Sequence, residues 1–269
     1  MSQRELLDLG LVVATHGRHA IVRTPDGERL LCHLRGKKSE VVPGDQVRWQ
    51  PAGDEGVIEH IEPRRNLLLR RDAWKTKSFA ANLDQILILV AGEPMFSEAQ
   101  LTRALIAAEQ ADIPALVGLN KIDLPAAAVA RERLAPYRAM GVELLELSLK
   151  READASRQRL HAALDGRTTL VLGPSGTGKS TLINLLVPRA EAEVGEISSA
   201  LNSGRHTTTA TRWYALGGDA PDAANGDADH GALIDSPGFQ EFGLHHVEAD
   251  QLAALMPDLR AQLGGCRFY

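Results

Sequence analysis

Cysteine is nearly absent: Cys32 and Cys266 are the only two in 269 residues. That excludes a disulfide framework, and two distant cysteines cannot by themselves supply a four-ligand structural zinc site. Aromatic residues make up only 4% of the chain, so any core must be built mainly from Leu, Val, Ile and Ala. The longest strongly apolar run, Ile86 to Ala91, is far too short to span a bilayer. The opening MSQRELLDLG has no apolar stretch of signal-peptide length. A cytoplasmic chain with no membrane partner is expected. Positive charge is in deficit, 30 Lys and Arg against 35 Asp and Glu, a net of −5. This argues against a uniformly basic nucleic-acid binder but leaves room for a local basic patch.

What is present divides into two textures, and the length fits two domains at roughly 150 residues each. The first part has short β-favouring runs at 11–13, 20–22, 30–32, 47–49 and 57–61. They are separated by the turn signals Pro25-Asp26-Gly27, Pro43-Gly44-Asp45 and Gly53-Asp54. Five short strands so spaced predict a small all-β barrel of the OB type over 1–70. Cys32 reads as a small buried hydrophobe. Arg64, Arg65, Arg70, Arg71, Lys75 and Lys77 are opposed locally by Asp72 alone. This stretch is either a solvated basic linker, placed at 71–80, or a contact to a phosphate backbone.

From 81 to 250 the pattern is α/β. The runs 85–90, 114–119, 142–147 and 168–172 read as buried parallel strands. Helical segments at 97–111, with Ser97 as N-cap, 126–139 and 154–164 alternate with them. Further strands are predicted at 212–216 and 232–234. The Gly, Ala and Asp-rich stretch between them reads as a flexible surface loop without chemistry, its aspartates lacking the spacing of a calcium loop.

Three motifs carry chemistry. Gly173-Pro174-Ser175-Gly176-Thr177-Gly178-Lys179-Ser180, followed by Thr181, matches G-x-x-x-x-G-K-[ST] between an apolar strand and a helix-forming run. Its glycines let backbone N–H groups wrap phosphates, and the helix adds its positive end. Lys179 would reach the outer phosphates, and the Ser180 hydroxyl would ligate Mg2+. Asn120-Lys121-Ile122-Asp123 follows a predicted strand, at the end of the sheet where α/β folds bind ligands. A carboxylate at Asp123 can accept from both N1–H and the exocyclic amine of guanine. The Asn120 amide can meet the other base edge, and the Lys121 stem can cover the ring. Ser148-Leu149-Lys150 is a loose version of the element that backs guanine, with Ser148 and Lys150 in the relevant places. Asp235-Ser236-Pro237-Gly238 matches D-x-x-G. There the aspartate holds Mg2+ and the Gly238 N–H senses the γ-phosphate. A threonine hydroxyl from Gly204-Arg-His-Thr-Thr-Thr209 could complete the Mg2+ shell.

The order of these motifs is unusual, because N-K-I-D precedes the P-loop and D-S-P-G comes last. With an OB-like barrel in front, the chain closely resembles the small-ribosomal-subunit biogenesis GTPases (the RsgA or YjeQ family). The resemblance rests on Ala80-Ala-Asn-Leu-Asp-Gln85, Asn120 to Leu124, Gly173 to Thr181, Gly204 to Thr209 and Asp235 to Phe239. It implies a circularly permuted P-loop GTPase domain and GTP hydrolysis with GTP/GDP and Mg2+ as cofactors. It also implies 30S subunit and 16S rRNA as partners, with turnover stimulated by the ribosome. It makes Thr208 the switch residue near Mg2+. Phe239 stands where other GTPases carry a water-orienting glutamine, and likeness to GTPases with an apolar residue there makes His206 the candidate catalytic group.

In the family a cysteine like Cys266 is the first ligand of a C-terminal zinc module. The later ligands are missing here, so the zinc module is expected to be missing, 251–269 being only the start of a truncated C-terminal helical or zinc segment, and Zn2+ binding is unsupported by the residues present. Two other classes fit the motifs: a nucleotide-regulated RNA-binding module with negligible hydrolysis, and a permuted GTPase of the large subunit. Without apolar heptads, a monomer is expected.

Overall fold

The computed structural model describes residues 7–35, 40–71, 76–190, 211–217, 230–237, 243–260 and 262–263. Five strands open the chain: β1 (Asp8–His16), β2 (His19–Arg23), β3 (Arg29–Leu34), β4 (Gln46–Ala52) and β5 (Glu55–Ile61). They pair in the order β1-β2-β3-β5-β4, and β4 returns to β1, closing a barrel. The β3–β5 pair is parallel and the other four are antiparallel. Alternation along each strand sends Val12, Ala20, Val22, Cys32, Val47, Trp49 and Ile58 into its core. The Cys32 thiol, walled in by these groups, is pushed up to about 11 by burial.

The expected basic linker is, where described, part of an antiparallel ribbon. β7 (Thr76–Ala81) pairs with β6 (Leu67–Arg71). The charges in this stretch masked its apolar residues, since Leu68, Phe79 and Ala80 are buried beside Leu101. Nor are its first two arginines free for an outside phosphate. Arg64 forks onto the fully buried Asp45, Nε to Oδ1 at 2.7 Å and Nη2 to Oδ2 at 2.8 Å. Arg65 Nη2 donates to Asp84 Oδ1 at 2.9 Å.

The second unit is a sheet in the order β10-β9-β8-β11-β13-β12. Its strands are β8 (Gln85–Ala91), β9 (Ala115–Asn120), β10 (Glu143–Glu146), β11 (Thr168–Leu172), β12 (Arg212–Ala215) and β13 (Ala232–Asp235). β12 is antiparallel to β13, and the remaining pairs are parallel. β8 is buried along its whole length. Ile86, Ile88 and Val90 face one core with α1 (Glu98–Gln110) and α2 (Ala127–Ala139). Leu87 and Leu89 face the other, with α3 (Ala153–Leu164) and α4 (Lys179–Leu186). Helices on both faces explain why the strand is continuously apolar. Ser97 caps α1, its side chain accepting from Gln100 N. A short helix, α5 (Pro257–Arg260), lies near the end of the described chain. Among the described residues, no helix is long and apolar enough to cross a membrane.

Barrel and sheet are joined twice. Ala14 of β1 bridges Arg212 of β12, so one hydrogen-bonded sheet runs from the barrel into the α/β unit. Trp213 packs against Val13, Ala14 and Ile21, with the Arg23 guanidinium 5.6 Å from its ring centroid. The second joint is the Ala80–Gln85 segment. Asn82 Nδ2 donates to the Gly44 carbonyl at 2.8 Å, and Asp84 Oδ2 accepts from Thr168 N at 2.8 Å. Gln85 Nε2 donates to Ala163 O and Thr169 Oγ1, both at 2.9 Å. This stretch ties barrel, ribbon and sheet together.

Candidate nucleotide site

The three motifs emerge from parallel strands of one sheet, β11 beside β13, and β9 separated from β11 by β8. The P-loop follows β11, Asn120 ends β9, and Asp235 ends β13. Loops leaving parallel strands at one edge form the cleft in which α/β sheets bind ligands.

Two glycines show how tightly the P-loop is seated. Gly173 has φ +153°, and a Cβ there would stand 2.3 Å from the Leu89 carbonyl oxygen. Gly178, the residue before α4, has φ +107°, and its Cβ would stand 2.4 Å from Asn120 Nδ2. A side chain at either place would push the loop off its support. Thr177 is buried, and its hydroxyl donates to the Pro174 carbonyl at 3.0 Å. Lys179 folds over the loop, Nζ donating to Gly173 O at 2.7 Å and Pro174 O at 2.9 Å. Burial lowers its ammonium pKa, and the nearby Asp235 opposes that. Ser175, Gly176 and Ser180 are exposed, and Pro174 and Thr181 are half-buried.

Asn120 has a different first task from the one its motif suggests. It is only 3% exposed. Its Nδ2 donates to the Thr177 carbonyl at 2.9 Å, and its Oδ1 accepts from Leu149 N at 3.2 Å. It therefore clasps the P-loop to the segment after β10. Ile122 turns its side chain to the apolar core, so its membership of the site is by backbone alone. Lys121 adopts φ +62°, and its Nζ donates to the Glu93 carbonyl at 2.6 Å.

Asp123 Oδ1 accepts from Ser148 Oγ at 2.7 Å, and Oδ2 lies 3.6 Å from Arg151 Nε. The Ser148 hydrogen bond, with the nearby Arg151 and Lys121 charges, holds this carboxyl below its usual range. It is presented ionised, as a double acceptor must be. Ser148 is fully buried and Lys150 is exposed.

Asp235 behaves in the opposite way. Burial raises its carboxyl pKa to about 6, although Lys179 and Arg212 pull it down. Among the described residues, nothing donates to its buried Oδ1. Next to it, Ser236 Oγ donates to Val171 O at 2.8 Å and pins the strand end. A buried carboxylate oxygen without a donor, near a P-loop that ends in the exposed Ser180, is a hard-oxygen set that fits Mg2+. Mg2+ takes one or two protein carboxylates and completes its shell with phosphate and water. Among the described residues no group of three His, Cys, Asp or Glu could hold a metal ion. His206, Thr208, Gly238, Phe239 and Cys266 lie outside the described residues.

Three participants have no motif to announce them. Arg151 stands near the Asp123 carboxylate, Arg212 beside Asp235, and Ser156 beside Ser148. Charge flagged neither arginine, because Arg151 sits between Lys150 and Glu152, and Arg212 is a single charge in uncharged sequence.

The family model described as RsgA GTPase matches residues 61–245. The chain belongs to the RsgA GTPase family. The chain is thus a GTPase. Among RsgA relatives, a small ribosomal subunit biogenesis GTPase of Variovorax paradoxus is 57% identical over 265 residues, 98% of this chain and 80% of the relative. One of the same description from Burkholderia pseudomallei is 57% identical over 263 residues, 97% of this chain and 80% of the relative. Among solved structures, YjeQ from Thermotoga maritima superposes with TM-score 0.68 at 24% identity, covering 97% of this chain and 85% of that one. YloQ, described as a circularly permuted GTPase, superposes with TM-score 0.65 at 22% identity, covering 100% and 84%. The permuted RsgA-type fold agrees with what the motif order implied, and the barrel in front of it with the strand and turn pattern of residues 1–70.

Proposed function

We propose that this chain binds GTP, hydrolyses it to GDP and phosphate, and does so in biogenesis of the small ribosomal subunit. The observation that carries this reading is that Lys179 at the start of α4, Asp123 with Ser148, and Asp235 at the end of β13 all stand at the carboxyl-terminal end of one sheet. Relatives at 55–57% identity named for small-subunit biogenesis supply the biological setting. In this reading the P-loop amides and Lys179 bind the phosphates, and Asp123 selects guanine. Ser180, Thr208 and Asp235 hold Mg2+, which offsets phosphate charge when bound. Gly238 faces the γ-phosphate. His206 orients the attacking water, since Phe239 has no polar atom to do so. 16S rRNA is the surface that the barrel meets, and the protein acts as a cytoplasmic monomer.

Steady-state GTP hydrolysis measured alone and with purified 30S subunits tests the reading. Strong stimulation by 30S subunits is expected, and His206→Ala should lower stimulated turnover while leaving GTP affinity nearly unchanged. Intact GTP binding with no stimulation would remove the ribosomal role from this chain.

A further inference from the structure

Asp123 is the end of a hydrogen-bonded relay that begins inside α3. The Ser148 hydroxyl that donates to Asp123 can rotate about its own bond, so the backbone of Ser148 decides where its oxygen sits. That backbone is held on both sides. Its N–H donates to Ser156 Oγ at 3.0 Å, and its carbonyl accepts from Glu152 N at 2.9 Å. The next peptide is held too, Leu149 N donating to Asn120 Oδ1. Ser156 is fully buried, on a helix whose Leu160 and Leu164 are locked into the core. The relay therefore runs from a rigid helix through one peptide and one hydroxyl to the carboxylate. No part of Ser156 touches the cleft.

We propose that Ser156 is the positioning residue for base selection, fixing the Ser148 peptide so that the Asp123 carboxylate meets the guanine edge with both oxygens. The inference rests on the reading of Asp123 as the guanine reader. Each carboxylate oxygen has two acceptor directions. With Ser148 occupying one direction on Oδ1, a carboxylate square to the base still accepts from N1–H and from the exocyclic amine. A carboxylate turned out of that plane keeps one bond and loses the other. Removing the Ser156 hydroxyl leaves the Ser148 N–H buried without its acceptor. The 148–149 segment must then shift to satisfy it.

Inosine diphosphate separates this role from a merely structural one, because its base has N1–H but lacks the exocyclic amine. Calorimetric titration of GDP, IDP and ADP into the purified chain reads the relay directly. The wild-type protein is expected to prefer GDP over IDP by about tenfold, the worth of one hydrogen bond to a charged group. Ser156→Ala should shrink that preference to about twofold, mainly through weaker GDP binding, with ADP still rejected. Ser156→Thr keeps the hydroxyl and should retain most of the preference. If Ser156→Ala does not fold, Ser156→Cys replaces it, since a thiol of similar size is a poor acceptor.

An unchanged GDP-to-IDP preference in the folded variant overturns the inference, as does an equal loss of both ligands. If the wild-type protein failed to separate GDP from ADP, the guanine reading itself would fall first. A wild-type preference that survives in the variant sinks only the role of Ser156.

Discussion

Arg212 stands directly across the β12–β13 ladder from Asp235, and on its other side it faces Ala14 of the barrel. Residues directly opposite in an antiparallel pair project to the same face. Asp235 therefore feels Arg212 on one side and Lys179 on another, yet burial outweighs both charges. The strand that carries this arginine follows the Gly204–Thr209 segment in sequence and is bonded to the barrel. The barrel and the strand that ends in Asp235 thus belong to one hydrogen-bonded sheet.

The first prediction concerns that carboxylate. Its folded-state value of about 6 lies above the 3.8 of an unperturbed aspartate, so the folded protein binds this proton more tightly than the unfolded chain does. The contribution to stability is fully present below pH 3.8 and is lost as pH rises through 6. At pH 7 in EDTA it leaves a cost of roughly 3 kcal/mol, about two pH units of differential binding. Asp235→Asn removes the charge and should be more stable than wild type at pH 7 in EDTA, with the gap closing toward pH 4. Urea unfolding at the two pH values reads this. The same variant should lose the Mg2+ dependence of GDP binding. A variant less stable than wild type at pH 7 in EDTA would contradict the account.

A second prediction tests the clasp between Asn120 and the P-loop. Gly178→Ala places a methyl 2.4 Å from Asn120 Nδ2 in a left-handed backbone, so GDP binding should fall by about a hundredfold or more. Asn120→Ala strands the Thr177 carbonyl and the Leu149 N–H and should cost about 2–4 kcal/mol in unfolding free energy. In the double variant the steric conflict is gone. The two effects on stability should then sum to at least about 1 kcal/mol more than the pair produces together. Strict additivity in the cycle would show that the two residues do not press on one another.

Most of this architecture was legible because its signals are local. The continuous apolar run at β8 is what a strand buried on two faces requires, and the P-loop glycines announce their own backbone needs. The β1 to β5 runs were visible as short β-favouring stretches between turn residues. The ribbon at Leu67–Arg71 and Thr76–Ala81 was hidden because its arginines and lysines dominate the composition, while only a few apolar side chains decide its burial. Asn120 was read by motif as a base contact, and nothing local to it could reveal partners 57 and 29 positions away. Ser156 escaped for a related reason: a lone serine in a polar helix looks like surface until the fold brings Ser148 onto it.

The last prediction decides between the two readings of the basic stretch, at its first residue. Arg64 reaches Asp45, whose carboxylate is fully buried and also accepts from Val42 N at 2.9 Å. Its Nη2 donates in addition to the Glu40 carbonyl at 2.7 Å. Removing one partner of a buried ion pair strands the other charge, so Arg64→Met should cost about 3–5 kcal/mol. Adding Asp45→Asn takes that stranded charge away and should recover part of the loss, a recovery that only a direct pair produces. Had Arg64 instead been a phosphate contact, Arg64→Met would leave stability alone and lower the salt dependence of RNA binding by about one counterion. Urea unfolding of the two variants beside a salt titration of 16S rRNA binding separates these outcomes. Unchanged stability with a reduced salt slope would reassign Arg64 from the barrel's internal brace to its RNA-facing surface.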